Sequence, residues 1–237
     1  IMRALLLAAG YGKRLSPITN YIPKCLVPIN GKPLIDYWLE QLSMIGIERF
    51  LINTHYLSDQ VEEHISKSLF RNKIDLVYED SLLMTGGTIL KNHVFFKGKS
   101  FMVIHADNLS FCNFSNFIST HKNRGSNVEI TMMTFDTDSP RSCGIIKTDR
   151  HGIVEHFYEK QANPVSSRAN AAVYIMEHSV IKYMESIKKE EIDISLDVIP
   201  EFIGRIGTFY NNDYHRDIGN LASYSLAQIE LYRRMNP

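Results

Sequence analysis

The sequence has 237 residues, with 26 Lys and Arg balanced by 26 Asp and Glu, so its formal net charge is zero. A hydrophobic content of 44% and a charged content of 22% are ordinary globular usage, which excludes wholesale disorder; the balanced charge removes the electrostatic footprint of a dedicated nucleic-acid binder. Apolar runs such as Ala4 to Ala9 fall far short of the roughly 20 residues of a membrane span. No basic and apolar leader opens the chain, and Cys25, Cys112 and Cys143 suit a reducing compartment better than a disulfide framework. These features lead us to expect a cytoplasmic protein without a membrane partner. Ile1 precedes Met2, so a native start is not expected at this end.

In chain order, Arg3 to Ala8 reads as a buried strand entering a glycine loop at Gly10 and Gly12. Pro17, Pro23, Pro28, Gly31 and Pro33 then punctuate a long ordered loop. Leu34, Ile35, Trp38, Leu39 and Leu42 recur at helical spacing and predict a helix over 34–44. Phe50 to Asn53 is a second strand, and Ser58-Asp59 is a cap signal for a helix reaching about Phe70. Leu76 to Tyr78 and Phe101 to Ile104 add strands, and Phe114 to His121 a helix. This alternation predicts a parallel, doubly wound sheet over the first 125 residues.

The pattern then turns β-rich, with strands expected at Val128 to Phe135, Gly144 to Lys147, Ile153 to Tyr158 and Ala172 to Met176. Helices are expected at His178 to Ile187 and Ser195 to Ile203, a strand at Thr208 to Tyr210, and a closing helix at Leu221 to Arg234. No linker composition separates the halves. The expectation is one domain over 1–237 with two functional halves, 1–125 and 126–237. The fold class is α/β, a Rossmann-like, doubly wound mixed sheet with helices on both faces.

The strongest local signal is Leu7-Ala8-Ala9-Gly10-Tyr11-Gly12-Lys13-Arg14-Leu15, followed by Pro17, Thr19, Pro23-Lys24 and Pro28. Glycines after a strand let backbone approach a ligand, and free N–H groups there form a concavity suited to phosphate oxygens. Arg14 and Lys24 add a forked guanidinium and a point charge for the same anion. The third glycine of a dinucleotide fingerprint is missing, because position 15 is Leu; the Walker A order is absent too. The nine His and three Cys show no zinc spacing. Asp107 follows an apolar strand, at the strand end where α/β sheets bind ligands. Taken alone, Asp107 and Asp217 also fit turn or capping chemistry, and Lys160 a solvated surface lysine.

Together, this signature with Gly86-Gly87, Ala106-Asp107-Asn108, Glu159-Lys160, Asn170-Ala171, Asp197-Val198-Ile199-Pro200 and Arg216-Asp217-Ile218-Gly219 resembles the sugar-1-phosphate nucleotidyltransferases. That resemblance implies transfer of a nucleotidyl group from an NTP to a sugar 1-phosphate, giving an NDP-sugar and pyrophosphate. It implies catalytic roles for Arg14, Lys24, Asp107 and Lys160. It places Ala8, Ala9, Gly10, Gly12, Lys13, Arg14, Thr85 and Gly86 on the nucleotide, and Asn108, Glu159, Lys160 and Asn170 on the sugar phosphate. Asp107 and Asp217 would share Mg²⁺, which favours one or two carboxylates plus phosphate oxygens. Relatives are often oligomers, so a homo-oligomer is a possible state.

Three positions depart from the family pattern: Lys13 where Thr is usual, Met84 where Gly precedes the Thr, and Ala172 where Gly follows Asn-Ala. Cys25 stands where a pyrimidine-reading branch carries Gln, and Thr85-Gly86-Gly87 resembles a turn of the mannose and heptose 1-phosphate guanylyltransferases. GTP is therefore favoured, with a CTP- or UTP-dependent enzyme or a non-catalytic nucleotide-sugar sensing subunit as alternatives.

Overall fold

The computed structural model describes residues 2–236, so Ile1, and the expectation about the chain's start, lie outside the described residues, as does Pro237. β1 (Arg3–Leu7) leads into the glycine loop. The proline-rich stretch after it is ordered by 3₁₀ turns at Lys13–Leu15, Ile18–Asn20 and Lys24–Leu26, then by a minimal hairpin of β2 (Pro28–Ile29) and β3 (Lys32–Pro33). α1 (Leu34–Met44) matches the predicted helix residue for residue, and Gly46 at φ +82° turns the chain after it. β4 (Phe50–Thr54), α2 (Ser58–Ser66), β5 (Ile74–Tyr78), α3 (Met84–Lys91), β6 (Phe101–His105), β7 (Asn108–Phe111) and α4 (Phe114–Lys122) follow. The second half holds β8 (Ile130–Asp136), β9 (Gly144–Thr148), β10 (Val154–Glu159), β11 (Arg168–Met176), α5 (His178–Ile187), β12 (Ile206–Tyr210), β13 (Tyr214–Asp217) and α6 (Leu221–Met235).

Nine strands form one sheet among the described residues. β6, β1, β4 and β5 are parallel, with β4 and β6 on opposite sides of β1, so the chain winds outward from β1 in both directions. β11 runs antiparallel to β6 and bears both β8 and β9; β12 then pairs parallel to β8, and β10 antiparallel to β9. The sheet is thus mixed, parallel in the first half and largely antiparallel in the second. Helices cover both faces. Ala4 and Leu6 of β1 pack with Trp38, Val61 and Phe117 from α1, α2 and α4, while Leu5 between them faces Ile89 and Ile181 from α3 and α5. That two-sided burial is why β1 is an unbroken apolar run.

Three local expectations differ from the structure. α2 ends at Ser66, and its cap is Leu57 in the left-handed region at φ 51°, with no Ser58 or Asp59 side-chain cap. Ser195 to Ile203 is not a regular helix: a π turn at Ile194–Val198 passes into a 3₁₀ turn at Ile199–Phe202. Pro200 lacks the N–H, and its ring crowds the carbonyl four residues back, so α geometry cannot run through it. Thr85-Gly86-Gly87 is not a turn but the first part of α3.

A separate antiparallel pair, β7 with β13, was not predicted from the sequence. Its register sets Asp217 opposite Asn108, bringing two segments more than a hundred residues apart to the end of β6. Trp38 Nε1 donates to the Asn108 carbonyl at 2.8 Å and Gln41 Nε2 to that of Ser110 at 3.0 Å, so α1 fastens this pair to the sheet.

Candidate functional site

The carboxyl ends of β1, β4, β5 and β6 open into a cleft of about 330 Å³. Its walls include Ala8, Ala9, Gly10, Gly12, Lys13 and Arg14 from the loop after β1, with Lys24 and Asp107 at the bottom. The N–H groups of Gly10, Tyr11 and Gly12 have no acceptor among the described residues. Gly12 sits at φ +65°, and a Cβ there would stand 2.9 Å from Thr19 Cγ2 and 3.2 Å from Lys24 Cβ. Thr19 Oγ1 donates to the Gly12 carbonyl at 2.9 Å, pinning the loop onto the segment that carries Lys24. Gly10, by contrast, has no protein atom within 4 Å of a Cβ, so the packing of the chain itself does not require a glycine there.

Lys24 is the electrostatic centre. Its side chain is only 9% exposed, and Nζ donates to Asp107 Oδ2 at 2.7 Å and lies 3.9 Å from Asp217 Oδ1. The two carboxylates respond in opposite senses. Desolvation pushes Asp107 up, but the Lys24 ammonium, His105 and hydrogen bonds outweigh it, holding its carboxyl below the usual range. Asp217 is pushed up by desolvation and then by the negative charge of Asp107, with Lys24 and Arg14 only partly offsetting them. An ammonium shared by two acids, one still under repulsion, is an arrangement that further positive charge would relieve. Arg14 is exposed at the cleft mouth and has no carboxylate partner among the described residues. Lys13 turns aside, with Nζ 5.2 Å from the centre of the Tyr11 ring.

The opposite wall holds a carboxylate that sequence reading missed. Glu79, just beyond β5 and 1% exposed, lines the cleft. It accepts from Asn53 Nδ2 at 3.0 Å and Thr88 Oγ1 at 2.5 Å, both through Oε1. Asn53 in turn accepts from the Ala8 N–H at 2.8 Å, which ties this wall to the glycine loop. No cation pairs with Glu79 among the described residues.

Thr85 lines the cleft, and its Oγ1 accepts from Ile194 N at 2.8 Å. Gly86 stands back from it: its N–H donates to the Ile192 carbonyl at 2.7 Å, and a Cβ there would meet Ile192 Cγ2 at 2.7 Å. A Cβ at Gly87 would lie 2.2 Å from the Glu190 carbonyl oxygen. These two glycines let α3 touch the 190–192 segment.

The remaining expected residues form a second group beside β11. Asn170 Nδ2 donates to the Tyr174 hydroxyl at 2.6 Å, and its Oδ1 accepts from the Ala172 N–H at 2.9 Å. Tyr174 meets the ring of the cleft residue His105 edge-on, 6.4 Å between centroids, which connects this group to the cleft. Glu159 Oε1 lies 3.2 Å from Lys160 Nζ, whose side chain is mostly exposed. Asn108 is buried and spends its amide on the Ala171 carbonyl at 3.3 Å. The cleft gathers the expected nucleotide residues, except Gly86, around Lys24 and Asp107; Glu159, Lys160, Asn108 and Asn170 lie outside its wall.

Among the described residues, no three or more His, Cys, Asp and Glu side chains converge to hold a metal unaided. Asp107 and Asp217 supply two carboxylates on one ammonium, a donor set that fits an ion completing its shell with phosphate oxygens and water. No helix of the described residues is long and apolar enough to cross a membrane. Cys25 lines the cleft, but burial pushes its thiol up to about 12, which removes it as a nucleophile.

The family described as Nucleotidyl transferase matches residues 3–233. A UTP–glucose-1-phosphate uridylyltransferase of Synechocystis is 30% identical, over 94% of this chain and 61% of its own length. A mannose-1-phosphate guanylyltransferase of Mycobacterium tuberculosis is 27% identical, over 99% of this chain and 66% of its own. The chain therefore spans just under two thirds of these curated relatives. Among solved structures, HddC from Yersinia pseudotuberculosis complexed with GMP-PN superimposes with a TM-score of 0.81 at 25% identity, covering 98% of this chain and 100% of that one. With its glycine loop, shared lysine and paired acids at the ends of a mixed sheet, the chain belongs to the nucleotidyl transferase family.

Proposed function

We infer that this chain transfers a nucleotidyl group from an NTP, GTP by preference, to a sugar 1-phosphate, releasing pyrophosphate. The observation that carries this reading is Lys24, largely buried and held between Asp107 and Asp217 beneath a loop with unbonded N–H groups. Two phosphate-bearing anions have to meet here, so the cleft must bring positive charge before any bond changes. Gly10, Tyr11 and Gly12 offer N–H groups to the phosphates, and Arg14 at the mouth grips the pyrophosphate that leaves. Lys24 neutralises the α-phosphate under attack. Lys160, with Glu159, Asn108 and Asn170, receives the sugar phosphate and its hydroxyls.

Asp107 and Asp217 would hold a divalent cation, Mg²⁺ in this reading, which supplies charge neutralisation on the phosphate oxygens. The attacking oxygen belongs to a sugar phosphate and is already anionic, so no general base is needed. Catalysis then rests on alignment and on charges fixed in advance.

Glu79 supports guanine as the base. Guanine presents N1–H and N2–H₂ as adjacent donors, and a carboxylate oxygen with a free lone pair accepts from them. Oε1 is engaged by Asn53 and Thr88, while Oε2 receives only the Leu83 N–H at a long 3.4 Å. A solved relative at 25% identity is complexed with GMP-PN, which favours the same choice. Thermal shift with each of four NTPs tests the preference: GTP should raise the Tm most, and Glu79→Gln should remove that advantage. An unchanged ranking in Glu79→Gln would refute the assignment to Glu79.

A further inference from the structure

Met84 combines two features that are costly to keep together. It is the first residue of α3, and its φ is +63°, the left-handed region that favours glycine. Its side chain is also large, apolar and 46% exposed, yet it lines the cleft between Leu82 and Thr85 and shares that wall with Glu79. A glycine would relieve the backbone, and packing does not demand the thioether, since nearly half the residue faces open space. The backbone at this point is nevertheless held firmly. The Thr88 hydroxyl shares its one proton between Glu79 Oε1 at 2.5 Å and the Met84 carbonyl at 3.0 Å, the carboxylate being the nearer acceptor. The strained residue and the carboxylate are therefore joined through one threonine.

We propose that Met84 is the side chain that covers the flat face of the nucleobase, while Glu79 meets its edge. This rests on the nucleotide-cleft reading above and adds to it a specificity-determining residue. Leu82 and Met84 make their side of the cleft apolar, and Glu79 supplies its acceptor. That combination suits a planar, aromatic ligand with donors along one edge. An unbranched thioether fits a ring face without demanding one shape, and sulfur–aromatic contact adds to the burial. Closing over a base removes the exposed part of Met84 from water, and a purine covers more of it than a pyrimidine does. Met84 thereby biases the cleft towards the larger ring.

The test compares Met84→Gly, Met84→Ala and Met84→Leu by steady-state kinetics and by thermal melting without ligand. Met84→Gly is expected to raise the KM for the purine NTP about tenfold, with kcat and the KM for sugar 1-phosphate nearly unchanged. Its ligand-free Tm should rise by about 2 °C as the left-handed strain is relieved. Met84→Ala should lose nucleotide affinity equally without that gain in Tm, and Met84→Leu should restore the KM. A purine KM that stays at the wild-type value in both Met84→Gly and Met84→Ala would overturn the proposal, as would a change confined to the sugar phosphate. Turnover by the wild-type protein is measured alongside. If it is absent with every NTP, the transferase reading fails, whereas normal turnover with an indifferent Met84 sinks this inference alone.

Discussion

Replacing each of the two acids by its neutral isostere should move stability in opposite directions, although both changes should end turnover. Asp107 accepts a charge-assisted hydrogen bond from Lys24 at 2.7 Å, an interaction worth about 1.5–3 kcal/mol when dry. The Asp107 side chain is 41% exposed, so solvent screening reduces this to about 1–2 kcal/mol. For a chain of this length Asp107→Asn should lower the Tm by about 3–6 °C. Asp217 is 3.9 Å from the same ammonium, too far for a hydrogen bond, and its carboxyl is pushed up by desolvation and by Asp107. Ionising it therefore costs stability at neutral pH, and Asp217→Asn should raise the Tm by about 1–3 °C.

The pH dependence separates these effects from general damage. The folded pKa of Asp217 is raised, so its favourable contribution is present at low pH and lost as pH rises through that value. The advantage of Asp217→Asn over wild type should accordingly shrink as pH falls. Asp107 has a lowered folded pKa, so its contribution persists at pH 5 and disappears only below the usual carboxylate range. Differential scanning fluorimetry in EDTA between pH 4 and pH 8 should show the Asp217→Asn advantage fading towards pH 4 and the Asp107→Asn loss unchanged across the range. Equal losses of Tm in the two variants, with the same pH profile, would refute the account of the acid pair.

Other outcomes follow from the same geometry. Gly12→Ala should cost about 1–3 kcal/mol, because its φ of +65° is unsuited to Ala and Thr19 Cγ2 stands 2.9 Å from the new methyl; urea unfolding of the two proteins measures it. Arg14→Ala should weaken pyrophosphate inhibition at least tenfold while leaving the Tm within 1–2 °C, since surface substitutions without a structural partner cost little. Gly87→Ala should lower the Tm by several degrees, because its methyl would overlap the Glu190 carbonyl oxygen at 2.2 Å. A Gly87→Ala protein as stable as wild type would remove the packing role given to that glycine.

The parallel core was legible because its signals are local. Ala4 to Leu7 had to be apolar on both faces, and α1 repeats Leu34, Trp38 and Leu42 along one stripe. The meeting of Asp107 with Asp217 came from resemblance and not from pattern, since β7 and β13 are short strands with no distinctive period and pair across a long separation. Gly86 is expected on the nucleotide, and the structure adds that a Cβ there would meet Ile192; a sequence does not show what a missing Cβ would touch. Glu79 was invisible for the related reason that its burial depends on Asn53 and Thr88 from two other elements. Pro200 is the local reason that the predicted helix over 195–203 is broken into a π turn and a 3₁₀ turn.

Pyrophosphate release from four NTPs, each paired with several sugar 1-phosphates, in Mg²⁺ and again in EDTA, tests nucleotidyl transfer itself. The account predicts release with GTP and a mannose- or heptose-type sugar 1-phosphate, silent in EDTA and in Asp107→Ala. No pyrophosphate from any pair, while nucleotides still raise the Tm, would contradict it and leave a protein that binds the nucleotide without turning it over.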